Sequence, residues 1–275
     1  MRSLRWLVLA AAATVAAAMC GSALGVGPWP GLAQTVGSPA GDLRYTASRA
    51  AGTTTVKAIR AGKTVSSARL EGAWGIPAVT SLGLGGGVSP DGRVLVLAEP
   101  PNYEGLRARS RFLVLSTPGL RQVQSIALRG EFGFDAISPD RRTLYLVQHV
   151  SSHDLVRYVV RAYDLAARRL VPGAIVDKRE PAEVMRGYPV ARATSPGGTW
   201  VYTLYMRGAP GGPLFVHALN AARRSAFCID LPAWRGGDTV WDARLELTRG
   251  GDRLRVLEQG GGTFATIDTR ALRVA

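Results

Sequence analysis

Apolar residues in this chain come in short bursts, and each burst is opened by the same kind of turn. The turn reads Ser38-Pro39-Ala40-Gly41, Ser89-Pro90-Asp91-Gly92, Ser138-Pro139-Asp140-Arg141, Ser195-Pro196-Gly197-Gly198 and Thr248-Arg249-Gly250-Gly251. Behind it lie Val94-Leu95-Val96-Leu97, Thr143-Leu144-Tyr145-Leu146-Val147 and Trp200-Val201-Tyr202-Thr203-Leu204. Short runs of this kind, β-branched or aromatic and nearly continuous in apolarity, predict strands buried on both faces. Leu43-Arg44-Tyr45-Thr46 and Leu254-Arg255-Val256-Leu257 are the weaker first and last versions. Ser suits the first place of a type I turn, Pro presets φ at the second, and Gly takes a left-handed fourth place. Only Arg141 departs from Gly there. Each copy is therefore expected to join two antiparallel strands.

A second element recurs further along each repeat. Val56–Ile59, Arg111–Leu115, Val160–Asp164, Val216–Asn220 and Ala265–Asp268 are each followed by a small polar turn and another apolar stretch. Units repeating every ~50 residues mark a propeller or solenoid array. With one strand before the turn, each unit supplies four strands. The expectation is an all-β chain, a β-propeller of about five four-stranded blades, with repeats at approximately 32–76, 77–130, 131–187, 188–237 and 238–275.

At these residues the chain resembles the bacterial YVTN-type and WD-repeat-like β-propeller families. Ile137-Ser138-Pro139-Asp140 with Tyr163-Asp164-Leu165-Ala166 is the closest copy of their repeat. The resemblance implies a propeller fold and, for most such proteins, a binding platform; it carries no catalytic residue across. Five repeats are fewer than the usual six to eight. A closed five-bladed ring and a ring completed by another chain both remain open.

Composition agrees with one domain, since 47% hydrophobic residues in 275 suffice for a sizeable core. The N-terminus reads differently. Arg2 and Arg5 precede an apolar run from Trp6 to Ala18, with small residues at Gly21-Ser22-Ala23. That pattern is a secretory signal peptide over 1–23, too short for a ~20-residue membrane span. The mature domain is then 24–275, exported to the cell envelope or beyond, with no integral span. Cys20 is placed as in a lipoprotein signal, but Ala17-Ala18-Met19 is a poor approach to it. If Cys20 leaves with the signal, Cys228 in Ala226-Phe227-Cys228-Ile229 is the one thiol, read as buried.

Formal net charge is +14, from 34 basic against 20 acidic residues. The arginines are scattered through every repeat, without a stripe or stacking motif, so no nucleic-acid partner is expected. An unknown protein or an envelope polymer is the expected partner, with an anionic surface acting by steering.

Candidate chemistry is sparse. His149 and His153, with Asp154 adjacent, could hold a metal through two imidazoles and a carboxylate, but a polar loop is the favoured reading. His217 reads as a half-exposed sheet position. Gly83-Leu84-Gly85-Gly86-Gly87 lacks the Lys-Ser/Thr of a phosphate loop and reads as the close-packed inner strand of a blade. No metal and no cofactor is expected.

Propeller geometry puts the longer loops on one face, which is where a site is expected. These carry Glu99, Asn102, Tyr103, His149, His153, Asp154, Trp241, Asp242 and Glu258, with Asp135 on a connector. The leading reading is a non-catalytic platform that binds a protein, peptide or envelope ligand through this face. The alternative is a lactonase-like or glycan-cleaving hydrolase using Glu99, Asp135, Asp154, Asp242 and Glu258. An incomplete array that oligomerises is a third.

Overall fold

The computed structural model describes residues 31–275 apart from positions 103–104, 118, 155 and 182–183. The signal-peptide segment, Cys20 and Tyr103 lie outside the described residues.

Sheet four shows the unit at its most regular. Its strands Tyr188–Thr194, Trp200–Met206, Leu214–Asn220 and Ser225–Asp230 pair antiparallel in sequence order. Ser195 makes the first turn: its hydroxyl accepts the Trp200 N–H at 2.8 Å, while its carbonyl accepts the Gly198 N–H at 2.9 Å. Where Asp is third, the lock is tighter. The Ser138 hydroxyl donates to Asp140 at 2.5 Å and accepts the Thr143 N–H at 2.9 Å. The fourth place is left-handed in both variants, φ being 70° at Gly92 and 60° at Arg141.

The second turn is held by a side chain closing on its own backbone. Asp164 accepts the N–H groups of Ala166 and Ala167 at 2.9 and 2.8 Å. Asn220 does the same for Ala222 and Arg223, and Asp268 for Arg270 and Ala271.

Sheet one consists of Thr35–Gly37, Arg44–Ala50, Thr53–Arg60 and Lys63–Glu71. Sheet three runs Glu131–Ile137, Thr143–His149, Arg157–Asp164 and Arg169–Leu170, with Met185–Arg186 also on its third strand. Sheet five holds Arg244–Leu247, Arg253–Leu257, Thr263–Asp268 and Arg273–Val274.

Sheet two departs from the expected four strands. Only Val94–Ala98, Arg109–Ser116 and Arg121–Arg129 pair as strands. Gly75 exchanges backbone bonds with Ala98, and Val96 donates to Gly87, but the chain between leaves the sheet. Residues 78–86 fold into a small hairpin, with Val79 donating to Leu84 at 2.8 Å and Ser81 reaching Pro189 of sheet four at 2.8 Å. The glycine run is therefore part of a hub loop and not an inner strand. Glycine is required by close approach: a Cβ on Gly85 would stand 2.1 Å from the Thr35 carbonyl oxygen of sheet one.

Four cores stack the sheets in order. Tyr45, Val56, Leu95 and Leu115 join sheets one and two. Phe112, Ile126, Phe132 and Leu146 join two and three. Tyr145, Val160, Phe215 and Leu219 join three and four. Leu204, Val216, Val256 and Ile267 join four and five. Among the described residues no hydrophobic core joins sheet five to sheet one. Accordingly Leu214–Asn220 is buried throughout, whereas Thr53–Arg60 and Arg253–Leu257 bury alternate residues only. Such alternation is what a sheet with one wet face requires.

Candidate functional site

The topology sends the longer loops to one end of the sheets and the tight turns to the other. At the loop end the expected site residues are dispersed. Glu99 is paired with Arg111 at 2.5 Å. Asp154 meets Arg186 at 3.0 Å. His153 lies in an exposed loop whose backbone N–H donates to the Ser151 hydroxyl at 3.2 Å. Asn102, Asp242 and Glu258 are exposed on three separate loops. Trp241 is partly buried, its ring edge-on to Tyr188 with centroids 6.2 Å apart. Of the carboxylates considered for hydrolysis, Glu99 and Asp154 are thus paired with arginines, and Asp242 and Glu258 face solvent. Among the described residues no three His, Cys, Asp or Glu side chains assemble as a metal-binding group.

Asp135 and His149 are different, because both are buried near the hub. Asp135 is bridged to Arg192 of sheet four, whose guanidinium also donates to the Asp135 carbonyl at 2.5 Å and to Thr203 at 3.1 Å. This pair spans sheets three and four and satisfies charges that would otherwise be costly to bury. His149 ends a strand of sheet three, 6.2 Å from the Tyr158 ring.

His217 is also buried rather than half-exposed, at 2%. It stands across from Thr203 and Cys228 in sheet four, and its Nε2 has no hydrogen-bond partner among the described residues. Burial, opposed by Asp135 and aided by Arg192, lowers its pKa to about 4. Tyr205 packs beside it and Tyr158 packs on Tyr205, and burial raises both phenols above their ordinary range. Cys228 is half-buried, and its backbone N–H donates to Asp177 at 2.8 Å. This polar cluster is a clasp between sheets three and four, and Asp135, His149, Tyr158, Arg192 and Tyr205 line a small cavity beside it.

The large cavity lies at the opposite end from the one expected. A cleft of about 440 Å³ opens among the tight turns, walled by Val36 and Pro39 of sheet one, the hub loop from Leu84, and Phe134. Inner-strand residues of sheet four, from Arg192 to Gly198, complete it. Turns of sheets two and four touch beside it: a Cβ on Gly198 would stand 2.1 Å from Pro90. The wall is mostly aliphatic side chain and backbone, and Leu84 is left 49% exposed in it. Asp135 alone of the expected residues borders the cleft, and its charge is already committed to Arg192. Leu84 and Arg192 escaped the sequence reading. A leucine amid glycines was the available signal.

No protein-family model matches this chain, and no curated protein matches it by sequence. Solved structures do. The Dos1 propeller superposes with a TM-score of 0.50 at 10% identity, over 84% of this chain and 53% of that one. TolB from Acinetobacter baumannii gives 0.45 at 12% identity over 87% and 52%. A putative 6-phosphogluconolactonase from Bacteroides uniformis gives 0.47 at 14% over 88% and 68%. The chain spans about half the length of the first two. At these identities the likeness shows the fold alone, and that fold is a β-propeller.

Proposed function

We propose that this chain is an exported, non-catalytic β-propeller of five blades in an open arc, and that it seats an extended segment of a partner protein in the hub cleft. One observation carries the reading: the 440 Å³ cleft is walled by aliphatic side chains and backbone together with the paired Asp135 and Arg192, and Leu84 is left exposed in it. Concave, largely apolar sites with few polar groups are the usual form of a ligand seat. A hydrolase needs reacting groups in mutual reach, and here the acids are dispersed or held by arginine. The open arc is supported by the polar outward faces of sheets one and five, since end repeats of an array need such faces.

The test is a photo-crosslinking residue placed at Leu84, or as a control at Val123 on the outer strand of sheet two, in the cells that make the protein. A protein adduct formed from position 84 and not from 123 is expected. Equal labelling from both positions, or none from 84, refutes the hub cleft as the seat.

A further inference from the structure

We infer that the segment entering the hub cleft is acidic; this rests on the cleft reading above. The cleft opens at the turn end, and every sheet places at least two Lys or Arg residues there. Sheet three alone contributes Arg141, Arg142, Arg168 and Arg169, and sheet four adds Arg223 and Arg224. Three of the carboxylates at this end are engaged by their own turns. Asp140 is bonded by Ser138 and the Arg142 N–H, Asp164 by Ala166 and Ala167, and Asp268 by Arg270 and Ala271. Arg142, Arg168, Arg169 and Arg223 are exposed, and none forms an ion pair with a described residue.

Ion pairs occur at both ends: Glu99, Glu131, Asp154 and Asp230 each meet an arginine at the loop end, and Asp42, Asp91 and Asp268 meet Arg60, Arg141 and Arg253 at the turn end. The turn end, where the cleft opens, thus holds more basic than acidic residues. A cleft rimmed by one sign of charge focuses the field and raises the local concentration of the opposite charge. Guanidinium groups suit carboxylates by bidentate hydrogen bonding. A seat of aliphatic side chain and backbone that opens at the more basic end of the sheets fits a peptide with aliphatic residues flanked by Asp and Glu. A flat anionic bilayer would lie across the cleft without filling it. A nucleic-acid strand would want exposed stacking rings, yet Trp200 and Phe227 near this end are partly buried against each other.

The experiment is selection from a random linear-peptide library on the purified chain, followed by kinetics of the enriched peptides. Three proteins are compared: wild type, Leu84→Asp, and the quadruple variant Arg142→Gln/Arg168→Gln/Arg169→Gln/Arg223→Gln. All the altered residues are exposed, so unchanged melting certifies the fold of each variant. The expected pool is rich in Asp and Glu and loses binding to Leu84→Asp. The quadruple variant should slow its association roughly tenfold or more, and salt should do the same to wild type. A neutral or basic pool that still depends on Leu84 overturns the acidic inference and leaves the cleft reading standing. A pool indifferent to Leu84→Asp overturns both. Binding of phosphatidylglycerol vesicles or duplex DNA that falls in the quadruple variant but not in Leu84→Asp would assign the basic rim to another partner and overturn the inference.

Discussion

Acidification should strip stability from this protein in a window set by one side chain, His217. The imidazole is 2% exposed, its Nε2 is without a partner among the described residues, and burial holds its pKa to about 4. In the unfolded chain the same group titrates near its ordinary value of about 6.5. Between these values the unfolded state binds the extra proton, so stability rises with pH across the window. The contribution is complete above about pH 6.5, is lost as pH falls toward about 4, and changes no further below. Roughly 2.5 pKa units correspond to ~3 kcal/mol, set against a typical total of ~5–15 kcal/mol. Urea unfolding at about pH 7.5 and about pH 4.5 measures it. His217→Leu keeps the volume and removes the titration, so its two curves should nearly coincide once the lower starting stability is allowed for. A wild-type loss below ~1 kcal/mol, or an equal loss in His217→Leu, refutes the assignment.

Three further outcomes follow from the same structure. Hydrogen bonds within their own turns lower the carboxyl pKa values of Asp140 and Asp164, and the Ala271 N–H with Arg253 brings Asp268 to about 2. Their stabilising effect is present above the unfolded value of about 4 and fades as pH falls through ~4 to ~2, so the urea midpoint should drop again there; a flat midpoint in that range argues against it. Asp135→Asn leaves the Arg192 guanidinium buried and half-satisfied, which should cost ~3–5 kcal/mol and lower Tm by ~2–4 °C for each kcal/mol. The apolar double variant Asp135→Leu/Arg192→Met should recover most of that loss by calorimetry, and a double variant as unstable as the single would show the ion pair to be the wrong cause. Gly85→Ala drives a Cβ into the Thr35 carbonyl and should destabilise by ~1–3 kcal/mol, with weakened hydrogen-exchange protection at Val36. Gly37→Ala, which meets nothing within 4 Å, should stay within ~0.5 kcal/mol; equal effects would remove the hub loop's claim on glycine.

What the sequence makes legible here is whatever is decided locally. The Ser-Pro turn and the Asp or Asn that closes the second turn bond to their own backbones, so the recurrence of the unit is visible without tertiary knowledge. The one-faced character of the terminal sheets was also visible, in the alternation of Arg44-Tyr45-Thr46 and of Arg253-Leu254-Arg255-Val256. Register carries further than residue lists do. Ala98 pairs with Phe112, which sets Glu99 beside Arg111 across the hairpin and accounts for a carboxylate otherwise open to a catalytic reading. The hub was beyond reach for a different reason. Asp135 and Arg192 are 57 residues apart, and nothing near either names the other. A run of glycines states that something approaches closely, but an inner strand and a loop packed against three sheets both satisfy it. Charge shows the same divide from the opposite direction. Along the chain the arginines look scattered, as a bias of composition would leave them. Yet Arg93, Arg142, Arg168, Arg223 and Arg270 all occupy turn positions of the repeat, and every repeat delivers its turns to the same end of the array. A residue type repeated in sequence therefore becomes a surface in space, and the basic face belongs to the architecture even though no single segment of the chain displays it.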